Sequence, residues 1–149
     1  MTKLLNILCS VLLILGFSAF AQVEGDIWAR CGANGVIDGN TIIAKIPGAE
    51  LKVRLADISA PVGNAYSTST LRSLVAHQTL SIYIKKTPTG YIGKVYVRGL
   101  DVNREMVKRG AARYTPGSMP YEMDMEHAQD EAKRAQRGIW QKARPTYRW

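Results

Sequence analysis

Short apolar runs separated by turn signals dominate the middle of the chain. Residues 51–55 alternate apolar and basic side chains, which is the period of a strand with one buried face. Asp38-Gly39-Asn40 and Pro47-Gly48 are turn signals on either side of a β-branched run. Short strands with turns at this spacing indicate a small barrel or sandwich. The five predicted strands are Val36-Ile37, 41–46, 51–55, 79–86 and 90–97.

Three other stretches carry helical spacing. Apolar residues recur at i, i+3 and i+4 in 65–77, and Asn103 can cap a short second helix that ends at Gly110. The third stretch, 121–137, places acids in its first half and bases in its last turns, which complements the helix dipole, and Gly138 ends it. Its inward side is predicted to be Met125, Ala128, Ala132 and Ala135, with Ile139-Trp140 as an anchor beyond the helix.

The first residues have the pattern of an export signal. A positive start is followed by the apolar run 4–20, and Ala19-Phe20-Ala21 supplies the small-x-small pattern that signal peptidase requires. We predict a cleaved signal peptide over 1–21, a mature protein in the periplasm or outside the cell, and no transmembrane helix in the mature chain. The alternative is an uncleaved N-terminal anchor.

Charge and cysteine content refine this picture. The 149 residues are enough for one domain and carry 20 bases against 12 acids, a net charge of +8 that suggests an anionic partner. Removal of residues 1–21 takes away only one charge, that of Lys3, and leaves a net charge of +7. Residues 133–149 alone hold six bases and no acid, so the excess of positive charge indicates a binding face less strongly than the total suggests. Cys31 is the single cysteine left, either a buried residue or a thiol able to pair with another chain.

A series of motifs identifies a related family. The strings are VIDGNT (36–41), VRLADISAP (53–61), KVYV (94–97), DVN (101–103), KRGAA (108–112) and GIW (138–140). In order and spacing they resemble the staphylococcal nuclease (thermonuclease) family. The resemblance implies an α+β, predominantly β fold: a five-stranded OB-type barrel with three helices. It places the domain at 36–141, between an N-terminal extension (22–35), read as a leader or an extra edge strand, and a basic C-terminal tail (142–149).

The resemblance implies calcium-dependent cleavage of DNA and RNA, in which carboxylates hold the metal and two arginines stabilise the phosphate. Of these positions, Arg54 is retained as the first catalytic arginine. Asn40 and Ser59 stand where the metal-ligand aspartates belong, Val62 replaces the general-base glutamate, and Tyr91 replaces the second arginine. Each of these four changes removes charge, and the loss of one such group costs on the order of 10²–10³ in rate.

A rebuilt site is the alternative. Asp38 lies two residues before Asn40 and Asp57 two before Ser59, so Asp38, Asn40 and Asp57 could form a displaced ligand set beside Arg54. Calcium is expected only in that case, and otherwise no cofactor. We favour simpler roles: Asp38 as a turn residue that bonds its own backbone, and Asp57 as the partner of a nearby base.

Basic and aromatic side chains give the chain some binding potential. They could frame an OB-type face that stacks single-stranded bases, or be ordinary surface lysines and core tyrosines. The residues are Lys85, Lys86, Tyr91, Arg113 and Tyr114.

The sequence thus favours an exported protein with an impaired nuclease site, which binds nucleic acid or another anionic envelope component or acts as a protein-interaction module. The alternatives are a residual or altered metal-dependent endonuclease and a structural subunit of the envelope.

Overall fold

The computed structural model describes residues 24–142. The predicted signal peptide and all but the first residue of the predicted basic tail lie outside the described residues. The strands are β1 (Gly25–Arg30), β2 (Val36–Asp38), β3 (Thr41–Ile46), β4 (Ala49–Leu55), β5 (Ile58–Ser59), β6 (Thr79–Thr87), β7 (Gly90–Val97), β8 (Leu100–Asp101) and β9 (Arg113–Tyr114). The helices are α1 (Ala65–Val75), α2 (Val102–Lys108) and α3 (Met123–Arg134), followed by a 3₁₀ turn over Gly138–Trp140.

Five strands close into a mixed barrel. The strand order is β1-β6-β7-β4-β3-β2, and a pairing of β1 with β3 closes the ring. β4 and β7 are parallel, while the other neighbours are antiparallel. With the three helices, this confirms the predicted α+β OB-type fold. The fifth barrel strand, however, is β1 and not the predicted Val36-Ile37, which forms the short strand β2 beside β3.

The N-terminal extension is therefore part of the fold. Its residues 25–30 form β1, which pairs along its whole length with β6. The sequence left open whether the extension is a leader or an extra edge strand, and the structure shows a strand. That strand closes the barrel and does not lie at an edge. The boundary predicted at residue 36 runs through this barrel.

The barrel interior follows the alternation of its strands. Ile82 and Ile84 of β6, Val53 of β4 and Val95 of β7 are fully buried, and α1 and α2 add Leu71 and Met106 from one side. Cys31 is 1% exposed and packs in the same core, so of its two predicted roles the structure shows the buried residue. Burial raises the pKa of its thiol, against the smaller opposite effect of Lys45.

The second helix begins earlier than the sequence indicated. Its N-cap is Asp101, whose Oδ1 accepts the Arg104 N–H at 3.0 Å, and not Asn103. Asn103 lies inside the helix and is fully buried. Its Nδ2 donates to the carbonyl oxygens of Ala56 (2.9 Å) and Gly93 (3.1 Å), and its Oδ1 accepts the Val95 N–H at 3.0 Å. Asn103 thereby joins the helix to the barrel wall.

The third helix ends before the predicted residue. It buries Met125, Ala128 and Ala132 as expected, but it stops at Arg134, so Ala135 is exposed. Gly138 starts the 3₁₀ turn instead of ending the helix, with a φ of 51°.

The 3₁₀ turn is held against the end of α2. The Ile139 N–H donates to the Gly110 carbonyl oxygen at 2.8 Å, and a Cβ at Gly138 would collide with that carbonyl. Ile139 and Trp140 are half-buried there. Within residues 24–142, no helix is long and apolar enough to cross a membrane.

Candidate nucleic-acid cleft

Two adjacent cavities open where β3, β4 and β7 meet the loops at one end of the barrel. Their volumes are about 300 and 290 Å³. The first cavity is lined by Asn40, Arg54, Asp57, Ser59, Thr115 and Ser118, among others. The second is lined mainly by Thr41, Lys52, Arg54, Thr87, Thr89 and Tyr91. Since Arg54 and Ile92 belong to both, the two cavities form one cleft.

Arg54 is the central cation of this cleft. It is an exposed residue of β4, between Thr41 of β3 and Ile92 of β7 in the sheet register. None of the ion pairs among the described residues includes it. Arg54 therefore forms no ion pair with Asp57 or Asp38, and its guanidinium can bind an anion without first breaking an ion pair.

The turn before β3 uses its polar side chains locally. Oδ1 of Asp38 accepts the Asn40 N–H at 2.9 Å, which is the turn role favoured from the sequence. Asp38 does not line the cleft. The Asn40 amide donates to the Ile58 carbonyl oxygen at 3.5 Å and accepts the Thr41 hydroxyl at 3.3 Å.

Asp57 holds a loop in place. Its two carboxylate oxygens accept the N–H groups of Ser118 (2.7 Å) and Met119 (3.0 Å), and its carbonyl oxygen accepts the Thr115 N–H at 2.8 Å. It does so with a φ of 56°, in the left-handed region that few residues other than glycine adopt. The prediction that Asp57 pairs with a nearby base is wrong: backbone N–H groups of residues 118–119 satisfy it.

The donor set of the cleft does not fit calcium. Calcium takes six to eight oxygen ligands with carboxylates among them. Asn40 and Ser59 supply neutral oxygens only, and both oxygens of Asp57 already accept hydrogen bonds. The part of the chain that the structure describes contains no cluster of three or more His, Cys, Asp or Glu side chains able to hold a metal. The displaced set of Asp38, Asn40 and Asp57 is not assembled.

Tyr91 and basic residues line the other half of the cleft. Tyr91 is the second residue of β7, is half-buried, and packs partly against the core. In the sheet register the exposed Lys86 is opposite Tyr91 and the exposed Lys85 is opposite Ile92, but neither lysine lines the two cavities. Because they are consecutive in β6, their side chains project from opposite faces of the sheet. Lys52, which the sequence reading overlooked, shares a face of β4 with Arg54 because the two are two residues apart.

Three predicted residues lie away from the cleft. Val62 is fully exposed in the loop before α1 and lines neither cavity. Arg113 stacks over the Trp140 ring at 5.2 Å. Tyr114 is only 9% exposed and its hydroxyl accepts the Glu122 N–H at 3.2 Å, so it has no free face for a base. Of the five residues predicted to frame a nucleic-acid-binding face, only Tyr91 lines the cleft.

A closed mixed barrel with three helices and an arginine-centred cleft defines a staphylococcal-nuclease-like domain. Comparison with known proteins agrees. Residues 52–142 match the family described as staphylococcal nuclease homologue. The chain is also 34% identical over 123 residues to an uncharacterized endonuclease of Escherichia coli, covering 76% of this chain and 78% of that protein, and 33% identical over the same length to its counterpart in Escherichia coli O157:H7. The chain belongs to the staphylococcal nuclease family.

Proposed function

We propose that this protein binds single-stranded nucleic acid in the Arg54 cleft, after export, and does not cleave it by the calcium mechanism of its family. The observation that carries the proposal is Arg54 itself. It is exposed, it lies between two cavities, and it has no acidic partner among the described residues.

The chemistry of the cleft supports a phosphodiester ligand. A guanidinium presents a planar fork of donors that matches two phosphate oxygens. Lys52 lines the cleft beside it and adds positive charge, and the Tyr91 ring offers an aromatic surface. Lys85 and Lys86 are further cations on the neighbouring strand β6. Basic grooves with aromatic side chains are the usual means of binding single strands, whose bases are free to stack.

The same cleft argues against efficient hydrolysis. Asn40 and Ser59 are uncharged, and Val62 cannot accept a proton and lines neither cavity. Tyr91 cannot supply the second cationic fork. Without a metal-binding set, a base or a second arginine, we expect the retained Arg54 to contribute binding more than catalysis.

The first prediction concerns Arg54. Arg54→Ala should weaken binding of single-stranded DNA and RNA about tenfold or more, because hydrogen bonds to charged groups contribute about 1.5–3 kcal/mol each. Binding should fall with rising salt and should be the same in calcium and in chelator. Fluorescence anisotropy of labelled oligonucleotides measures it. Arg72→Ala, which removes an exposed arginine from α1, is the matched control and should bind like wild type.

Two results would contradict this proposal. Equal binding by wild type and Arg54→Ala would place the ligand elsewhere. No binding of nucleic acid by the wild type would instead favour a structural subunit of the envelope or a module for another anionic envelope component.

The second candidate is a metal-dependent endonuclease with an altered site. The name of the Escherichia coli relatives, uncharacterized endonuclease, is the observation that favours it. Cleavage of the same oligonucleotides that requires calcium and is lost in Arg54→Ala would establish it and exclude a pure binding module. Export is tested separately: N-terminal sequencing of the secreted or periplasmic protein should begin at Gln22.

A further inference from the structure

A second groove lies at the opposite end of the barrel from the Arg54 cleft. Its volume is about 560 Å³, and its lining includes Trp28, Arg30, Lys45, Pro47, His77 and Thr79. Strand β6 runs from Thr79 at this groove to Thr87 at the cleft, a distance of roughly 26 Å at the rise of a β-strand. The groove is large enough for a small ligand and is separate from the site described above.

The groove arises where two barrel strands part. β1 pairs with β3 at a single position, Arg30 opposite Lys45, whereas it pairs with β6 along its whole length. Beyond that position β3 ends at Ile46 and the chain turns at Pro47, which has no N–H to offer β1. The stretch of β1 around Trp28 therefore borders an opening beside the β3–β4 turn.

The charge at this seam is unbalanced. Arg30 and Lys45 are two cations directly opposite each other on neighbouring strands, an arrangement that is unfavourable unless an anion compensates it. Lys45 has one partner, Glu50, at 3.2 Å on the exposed surface. Arg30 is in none of the ion pairs found among residues 24–142. An anion between the two cations would relieve their repulsion.

Trp28 supplies a flat surface next to these cations. Its side chain is 71% exposed, although a tryptophan gains more from burial than almost any other residue. It stands two residues before Arg30 on the same strand, so both side chains project from the same face of the sheet.

We infer that this groove binds a nucleotide of single-stranded nucleic acid, with the base stacked on the Trp28 ring and the phosphate held between Arg30 and Lys45. An aliphatic anion such as a fatty acid would need an enclosed channel for its chain, whereas the exposed face of Trp28 suits a planar base. The inference shares with the proposed function only the class of ligand. It adds a second contact that would lengthen the footprint of one strand across the barrel.

The second prediction tests this groove with the purified full protein and labelled twelve-nucleotide oligothymidylate. Trp28→Ala should weaken binding by about 5- to 100-fold, the usual effect of removing one stacking platform, and Trp28→Phe should retain most of the affinity. Arg30→Ala should lower the slope of log affinity against log salt by about one. Leu100→Ala, another exposed apolar residue, is the control and should bind like wild type. Unchanged melting temperatures exclude misfolding as the cause.

The outcomes separate the two sites. Weaker binding in Trp28→Ala but not in Arg54→Ala supports the groove and overturns the cleft. Weaker binding in Arg54→Ala but not in Trp28→Ala overturns the groove and leaves the proposed function standing. Binding of dodecanoate that depends on Trp28, without any loss of oligonucleotide affinity in Trp28→Ala, would identify an aliphatic anion as the ligand and also overturn the inference.

Discussion

At the scale of single residues, the role of a polar side chain depends on which groups already satisfy it. Asp57 stands close to the retained arginine in sequence and looked available to a base or a metal. Its oxygens instead accept N–H groups that lie 61 and 62 positions further along the chain. No local pattern indicates such a distant partner, so the sequence could identify Asp57 as a candidate residue but could not predict which groups its carboxylate binds. Asp38 is the opposite case, because its partner is two residues away and the turn motif predicts it.

Asn103 shows the same dependence in the core and carries the third prediction. Asn103→Ala removes the amide partner of the Ala56 carbonyl oxygen and of the Val95 N–H, and each such buried group costs about 1–3 kcal/mol. The Gly93 carbonyl oxygen loses one of two bonds, since it still accepts the Ala56 N–H at 2.8 Å. We expect the free energy of unfolding to fall by about 3–4 kcal/mol in urea denaturation. Lys108→Ala, an exposed change in the same helix, should stay within about 0.5 kcal/mol of wild type. A loss below about 1 kcal/mol in Asn103→Ala would mean that water replaces the amide.

At the scale of elements, the paired strands were the easiest to predict. The predicted 41–46 and 90–97 agree with β3 and β7 at both ends, because turn residues flank them and their alternation is regular. β1 was predicted only as one of two alternatives, a leader or an edge strand, because Trp28 is apolar but faces outward, between the inward-facing Ile27 and Ala29. That interrupts the alternation by which a strand is recognised.

The starts of two helices are tied to the barrel by one lysine. Lys94 of β7 forms ion pairs with Asp101, the N-cap of α2, at 3.6 Å, and with Glu122, the N-cap of α3. Burial by itself would lower the pKa of Lys94, but the hydrogen bond to Glu122 and the charge of Asp101 outweigh it and leave that pKa raised. The charged form of Lys94 therefore stabilises the folded state.

The fourth prediction follows from the direction of this pKa shift. Folding raises the pKa of Lys94 above its usual value of 10.5. The stabilisation that charged Lys94 gives to the folded state is therefore fully present below pH 10.5, and it is lost as the pH rises through the higher pKa of the folded protein. Lys94→Met should lower the free energy of unfolding at pH 7 by about 1–2 kcal/mol and reduce its decline at alkaline pH. Urea titrations from pH 7 to 11 measure both effects. Lys52→Met should show the alkaline decline of wild type, and a Lys94→Met variant that does the same would exclude this role.

At the scale of the whole molecule, the family resemblance was sufficient to predict the barrel, the helices and the position of Arg54. It did not indicate the groove beside Trp28, because that groove depends on a strand outside the motifs and on where two strands separate. Sites that arise from the way elements meet are not visible in the order of residues. The half of the cleft around Asn40, Arg54 and Ser59 could be predicted because those residues stand within the motifs. Other lining residues, such as Lys52, Thr89 and Ser118, lie outside them.

Closure of the barrel carries the fifth prediction. A protein that begins at Val36 lacks β1, which leaves the hydrogen-bonding edge of β6 unpaired and exposes the core beside it. We expect this protein to aggregate or to lose its cooperative unfolding transition, as measured by size-exclusion chromatography and circular dichroism. A protein that begins at Gln22 should be monodisperse and unfold cooperatively. Cooperative unfolding of the shorter protein would show that β1 is dispensable.

The pairing of β1 with β6 also has a consequence for synthesis. The strand that leaves the ribosome first must wait for a partner translated roughly 50 residues later, and closing so long a loop costs entropy that no local contact repays. Topologies dominated by such distant pairings fold slowly. The barrel therefore cannot close until β6 has been made, and β1 has no β6 partner while the intervening residues are translated.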